Sequence, residues 1–377
     1  MPMNPDSSRS LARVRPAPIG AALGLLICAT VGGCPTNAPM DNLTASPISN
    51  DSTATFADAA PSGLDKADQV QFDGTISSGS DVDLFDLGTL TPGDLLFVDV
   101  SASSGDLDPV AAIFDDREFL QAFNDDRNPD ATNLNPQLDI VIRGRESQFF
   151  LGVAAFPGGS STGDYHVEVR VARGAGDPNP KPQIVYLNWA GGQNIVIPNV
   201  DVFNLNPFDA ARLNLPGMTA ALEDQVQQII QNRYSGYNLI VRNSKDDLIP
   251  TEPHSTVHFG GVSSRAFAIS EQIDTQNADP SDSAIVFTDS FTGAFGRTLS
   301  FTEMSRAVGN TAAHEIGHLV GLVHTKDCNS LMDTTCGNTS LLRLQSFRLA
   351  PLDVSVFPFG FQEATELITW ALGMAGM

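Results

Sequence analysis

Positive charge is scarce in this chain. Twenty-one lysines and arginines stand against 44 aspartates and glutamates in 377 residues, giving a formal net charge of −23. A nucleic-acid surface neutralises phosphates with basic side chains, so this balance argues against DNA or RNA as a partner. Cysteine is limited to positions 28, 34, 328 and 336, with no Cys-rich cluster. The one long apolar run, from about Ala17 to Val31, is too short to span a bilayer comfortably. No Ser-His-Asp arrangement or phosphate-binding loop stands out. Charged residues make up only 17% of the chain, while Gly, Pro, Ser, Thr and Asn are plentiful. That composition suits a β-rich exported protein better than a helical bundle. The length exceeds one typical core and predicts two domains with unstructured ends.

Histidine is rare as well, with six residues in all, yet three of them fall between positions 314 and 324 in the run His-Glu-Ile-Gly-His-Leu-Val-Gly-Leu-Val-His. On an α-helix each residue advances about 100°, so His314 and His318 lie one above the other on a single face, with Glu315 beside them. Zinc favours tetrahedral nitrogen and sulfur ligands, and a catalytic site keeps its fourth position for water, so three protein ligands are the right number. His324 can be the third only if the chain turns back, because a straight helix would carry it away along the axis. Gly321 is placed for that turn: glycine reaches positive φ without a Cβ clash and can end the helix after Val320.

This pattern resembles the metzincin signature, H-E-x-x-H-x-x-G-x-x-H followed by a Met-turn. Ser330-Leu331-Met332-Asp333 follows, with Met332 eight residues after His324, an interval that resembles the matrixin branch. The resemblance implies zinc held by His314, His318 and His324, Glu315 as general base, and Met332 as a hydrophobic floor that does not ligate. It implies a zinc metalloendopeptidase acting on proteins or peptides. The matrixin propeptide's cysteine switch is not visible, since no cysteine lies between Cys34 and Cys328. Two other readings stay open: a surface-anchored adhesion or substrate-binding protein with a secondary peptidase role, and a non-proteolytic zinc hydrolase.

Arg9, Arg13 and Arg15 precede the apolar run, the flanking expected of a secretory signal over residues 1–33. The run ends Val31-Gly32-Gly33-Cys34, which resembles a bacterial lipobox and implies lipidation of Cys34 and a membrane anchor at the cell envelope or surface. The alternative is an ordinary signal peptide, a secreted protein and an incidental Cys34. With Cys28 lost in the signal and Cys34 lipidated, the remaining pair is Cys328 and Cys336. In an exported protein that pair predicts a disulfide across the Met332 loop. Reduced thiols or thiolates on a second metal are the other readings.

Residues 34–65, rich in small and polar residues, read as a flexible tether. From 66 to 172 short alternating segments such as Leu95–Val100 and Tyr165–Val171 predict an all-β sandwich. This stretch resembles the bacterial pre-peptidase C-terminal domain through Gly74-Thr75-Ile76, Asp81-Val82-Asp83-Leu84-Phe85, Leu107-Asp108-Pro109-Val110, Asn124-Asp125-Asp126 and Gly163-Asp164-Tyr165. It departs from that family in preceding the catalytic region. Its many aspartates, Asp81, Asp83, Asp106 and Asp108 among them, could supply oxygen ligands to structural calcium, but turn chemistry is the stronger reading, since Asp and Asn between strands need no metal. Residues 173–182, rich in Gly and Pro, read as a semi-rigid linker.

The remainder, 183–377, has the order of an α+β domain. Strands are predicted at 183–189, 237–242, 255–259 and 284–289, and helices at 219–233, 302–320 and 362–372, with Thr302 or Ser305 capping the motif helix. By resemblance this is a zincin-like metzincin domain, so the fold class is multidomain, an all-β sandwich followed by an α+β catalytic domain. His254 and His258, four apart, would lie about 13 Å apart on one face of a strand, too far for one ion unless the chain bends. His166 reads as a surface or packing residue of the sandwich.

Overall fold

The computed structural model describes residues 46–47, 55–128 and 131–376. The signal-like segment and Cys34 lie outside the described residues. The first region contains β1 (Ser46–Pro47), β2 (Ala60–Pro61), β3 (Gln69–Ile76), β4 (Val82–Leu90), β5 (Leu95–Ala102), β6 (Pro109–Asp115), β7 (Leu120–Asn124), β8 (Gln137–Val141), β9 (Ser147–Ala155) and β10 (Gly163–Ala172). They form two five-stranded sheets, ordered β1-β3-β10-β5-β8 and β2-β4-β9-β6-β7. The inner faces share one apolar core, with Phe72, Leu96 and Val167 from the first sheet against Phe85, Ile113 and Leu151 from the second.

The tether expected over 34–65 is corrected here for residues 46–47 and 55–65. β1 pairs with β3 and β2 with β4, and Leu64 is buried. The Phe56 ring meets those of Phe114 and Phe150 edge-on, each at 5.3 Å. Average composition hides this, because two apolar anchors are enough to fasten a polar segment to an existing core.

The second region contains β11 (Gln183–Asn188), the hairpin β12 (Gly192–Ile197) and β13 (Asp201–Leu205), α1 (Thr219–Arg233), β14 (Leu239–Asn243), β15 (Ser255–Phe259), β16 (Ala268–Ser270), β17 (Ser283–Val286), α2 (Phe301–His318), β18 (Leu349–Pro351), β19 (Phe361–Glu363) and α3 (Ala364–Leu372). Its main sheet runs β14-β11-β15-β17-β16, with β16 alone antiparallel and at the edge. Val185, Leu187 and Val257 of the sheet, Leu222 and Val226 of α1, and Ala312 and Ile316 of α2 make a single core. The chain is therefore multidomain, a β-sandwich followed by an α+β region, as the sequence predicts.

The two regions share a further core. Val110, Ala112, Phe114 and Phe150, on the outer face of the second sandwich sheet, pack with Val323, Leu352, Val356 and Phe357. The Phe114 and Phe357 rings are 5.3 Å apart. Gly152 of β9 makes room: a Cβ there would stand 2.7 Å from the Phe357 ring. Polar contacts surround the apolar patch. Gln276 brackets the backbone of Val141, accepting from its N–H at 3.1 Å and donating to its carbonyl at 2.7 Å, and Arg117 joins Asp115 to Glu366.

Candidate metal centre

α2 starts one residue earlier than predicted, and its cap is Ser300. The Ser300 hydroxyl accepts from the Glu303 N–H while the Glu303 carboxylate accepts from the Ser300 N–H, a reciprocal capping box. Thr302 and Ser305 fall inside the helix, where Ser305 donates back to the Phe301 carbonyl at 2.8 Å. Ala307, Val308, Ala312 and Ile316 are fully buried, and this apolar stripe fixes the rotation of the helix about its axis.

The helix stops at His318 rather than Val320. Leu322 N–H donates to Gly317 O at 2.8 Å and Gly321 N–H to His318 O at 3.0 Å, the paired bonds of a Schellman ending, and Gly321 has φ +97°. A Cβ at Gly321 would also come within 3.0 Å of the Asp274 carbonyl and the Gln276 amide. Glycine is needed here twice, for the turn and for the loop beside it. The chain doubles back and brings His324 to the helix.

The three histidines converge. Nε2 of His318 lies 3.1 Å from Nε2 of both His314 and His324. Nδ1 of His314 faces the Leu331 carbonyl and Nδ1 of His318 the Leu322 carbonyl, each at 2.8 Å. A carbonyl can only accept, so both Nδ1 atoms carry the proton and both Nε2 atoms present a lone pair. Lone pairs facing each other at 3.1 Å repel unless a cation lies between them, and ligands 2.0–2.1 Å from a tetrahedral zinc stand about 3.3 Å apart. The donor set, its spacing and the anchored tautomers of His314 and His318 therefore fit zinc, with His314, His318 and His324 as ligands. Burial, with repulsion from the neighbouring imidazoles, holds His318 well below the ordinary histidine range and His324 down at about 3, so the rings stay neutral as ligands must.

Glu315 is buried in the same cluster, and burial pushes its carboxyl up to about 8. A cation on the three histidines opposes that push by favouring the carboxylate. Met332 is fully buried beneath α2, and Gly317 lets it approach: a Cβ on Gly317 would stand 2.6 Å from its sulfur. The backbone around Met332 orients the site, Leu331 O receiving His314 and Met332 O receiving the Thr325 N–H at 2.9 Å. Cys328 and Cys336 form a disulfide with Cα atoms 5.3 Å apart, spanning this loop.

Two positioning residues escaped sequence reading. Gly317 stands at an unspecified position of the motif, and its role appears only once Met332 is seen against it. Gln362 is fully buried and clasps Val323, accepting its N–H at 2.7 Å and donating to its carbonyl at 2.9 Å, which fixes the residue before His324. No sequence signal joins positions 39 residues apart.

The other histidines and the aspartates lie elsewhere. His258 contacts Asn188 at 3.1 Å, His254 contacts the Glu252 carbonyl, and His166 pairs with Asp73. None of them belongs to a metal-competent cluster among the described residues. The sandwich aspartates do not gather as a calcium site there either. Asp81 receives Ser77, Asp83 receives the buried Tyr165 hydroxyl at 2.5 Å, and Asp115 receives Arg117, which is turn and packing chemistry.

The histidines and Glu315 open into a cleft of about 680 Å³, bordered by β16 on one side and by the segments around Asp333 and Val356 on others. Residues 246–356 match the family model for matrixin. That match contains all three histidines, Glu315 and Met332, and with the site geometry it supports a zinc metallopeptidase. No curated protein matches the chain. Among solved structures, the pre-peptidase C-terminal domain of a Bacillus anthracis collagenase is similar at 13% identity over 36% of this chain and 99% of that one, with a TM-score of 0.21. Archaemetzincin from Methanopyrus kandleri is similar at 11% identity over 50% of this chain and 94% of that one, with a TM-score of 0.27. A zinc-dependent peptidase from Methanocorpusculum labreanum is similar at 12% identity over 43% and 93%, with a TM-score of 0.26. These are remote likenesses.

Proposed function

We propose that the chain is a zinc-dependent endopeptidase that hydrolyses peptide bonds in extracellular or envelope proteins. The observation that carries the reading is the convergence of three Nε2 atoms, with the tautomers of His314 and His318 fixed by backbone carbonyls, and a buried carboxylate one residue along the same helix. When bound, zinc lowers the pKa of water and polarises a carbonyl oxygen. Glu315 supplies the proton traffic: its carboxylate takes a proton from the attacking water as the oxygen–carbon bond forms. It returns the proton to the amine as the carbon–nitrogen bond breaks. His314 and His318 stay oriented throughout, because their Nδ1–H groups keep donating to main-chain carbonyls.

A peptide substrate is favoured over another acyl compound by β16. It is the edge of the main sheet, antiparallel to β17, and it lines the cleft, so its unpaired side can receive an extended chain by main-chain hydrogen bonding. Placement outside the cytoplasm is supported by the signal-like N-terminus, with Cys34 as a lipid anchor, and by the Cys328–Cys336 bridge, a bond typical of oxidising compartments. Substituting Cys34→Ala should release the protein from the membrane fraction, and retention there would overturn the anchor.

The decisive test is Glu315→Gln. It should keep stoichiometric zinc while losing about 10²- to 10⁴-fold of proteolytic turnover. Full proteolysis in that variant would sink the assignment.

A further inference from the structure

The cleft is not walled by the α+β region alone. Phe123, near the end of β7, and Phe156, just after β9, line it from the sandwich, together with Ile273 and Val356 and in the same cleft as His318 and His324. These four apolar side chains belong to the shared core between the regions, Phe123 and Val356 buried within it and Phe156 and Ile273 partly exposed at its rim. The wall is also tied to the metal ligands. Thr275 donates its hydroxyl to the Phe123 carbonyl at 3.3 Å, and Asp274, one residue earlier, donates its N–H to the His318 carbonyl at 2.9 Å. On the opposite side, Asp353 N–H donates to the His324 carbonyl at 3.1 Å, and Val356 follows three residues later. The sandwich surface is thus held in register with the histidines by two short paths, one closed by the Thr275 hydroxyl and the other by the packing of Val356.

Resting on the peptidase reading, we infer that the sandwich supplies one wall of the substrate cleft, where Phe123 and Phe156 with Ile273 and Val356 form a subsite for a bulky apolar side chain of the peptide. A large apolar side chain entering this corner leaves water for the exposed parts of Phe156 and Ile273, backed by the buried Phe123 and Val356, while a small or charged one leaves that surface wet or loses its own hydration. Selectivity of this kind scales with the apolar area removed from water, and one methylene in such a pocket is worth about tenfold or more. The sandwich is then part of the enzyme's specificity and not a separate binding module.

The test uses the zinc-loaded full chain and paired peptides that differ at one position, Phe against Ala, scanned along the sequence on both sides of the cleaved bond. The wild type should favour Phe over Ala at one subsite by about tenfold or more in kcat/KM. Phe156→Ala should collapse that ratio severalfold at that subsite only. Phe156→Trp, which fills the corner, should shift preference there toward the smaller side chain, and it keeps the test informative if the alanine variant folds poorly. Zinc-dependent cleavage with the same ratio in both variants overturns the subsite and leaves the peptidase reading standing. Absence of zinc-dependent cleavage by the wild type overturns both.

Discussion

In β10 the buried residues alternate, Tyr165, Val167, Val169 and Val171, with Glu168 and Arg170 between them turned outward. In β6 all seven residues from Pro109 to Asp115 are buried. β5 of the first sheet follows the alternating pattern, and β9 of the second is buried at every position but Gln148. One sheet of the sandwich faces water and the other faces protein. Alternation marks a sheet with one solvated face, whereas a continuous apolar run marks a strand covered on both sides. Here the cover is the α+β region: of the residues that provide it, Val323 precedes the third metal ligand, Leu352 and Phe357 stand either side of the Asp353 segment bonded to that ligand, and Val356 lines the cleft. A module that the sequence marks as a separate domain preceding the catalytic region is packed against the segments that hold the site.

The strongest way to break that comparison is to truncate matched aromatic residues on the two outer faces. Phe357→Ala empties a fully buried position between the regions and should cost about 3–5 kcal/mol of stability. Phe97→Ala, on the outer face of the first sheet, where Arg170 covers a half-exposed ring at 5.1 Å, should cost about 1 kcal/mol or less. Urea unfolding measures both, and zinc content after dialysis should fall in the first variant only. Equal losses would mean that the second sheet is no more structural than the first.

Much of the site was legible because it obeys short-range rules. The four-residue histidine spacing, the glycine that ends the helix and the interval to Met332 all act within about a turn or two of chain, and the structure brings those residues together. The capping box was legible too, in Ser300-Phe301-Thr302-Glu303, although Thr302 and Ser305 were the expected caps. The double burial of β6 and β9 was written in Val110-Ala-Ala-Ile-Phe114 and Phe149-Phe-Leu-Gly-Val-Ala-Ala-Phe156, runs without polar interruption. The sequence cannot say what covers such a run. Gln362 on Val323 and Met332 against Gly317 depend on long-range packing and have no local pattern.

A smaller effect sharpens the comparison from the other side of the site. The sandwich braces the His324 segment by apolar packing, while the Met332 loop carries its own covalent brace. Breaking the bridge with Cys328→Ser and Cys336→Ser should cost about 2–3 kcal/mol by the loop-entropy estimate for so short a loop. Thermal unfolding of the double variant, compared with wild type under reducing and oxidising conditions, measures it. If the bridge also fixes the floor beneath the histidines, the variant should bind zinc more weakly while its sandwich stays folded. A loss of zinc affinity as large as that of Phe357→Ala would shift the weight from the shared core to the disulfide.

The smallest expected effect lies at the polar rim of the same interface. Arg117 stands between Asp115 of β6 and Glu366 of α3, 2.6 and 2.7 Å from their carboxylates, and those two partners hold its guanidinium above its ordinary pKa. The bidentate geometry is favourable, but Arg117 and Glu366 are each about a third exposed, so water and salt screen the pair and little net stability remains. A double-mutant cycle with Arg117→Ala and Glu366→Ala should give a coupling of about 0.5–1 kcal/mol that shrinks as ionic strength rises. The apolar patch should show no such salt dependence. A coupling of several kcal/mol, insensitive to salt, would mean that the two regions are joined by charge and that the apolar face of the second sheet is secondary.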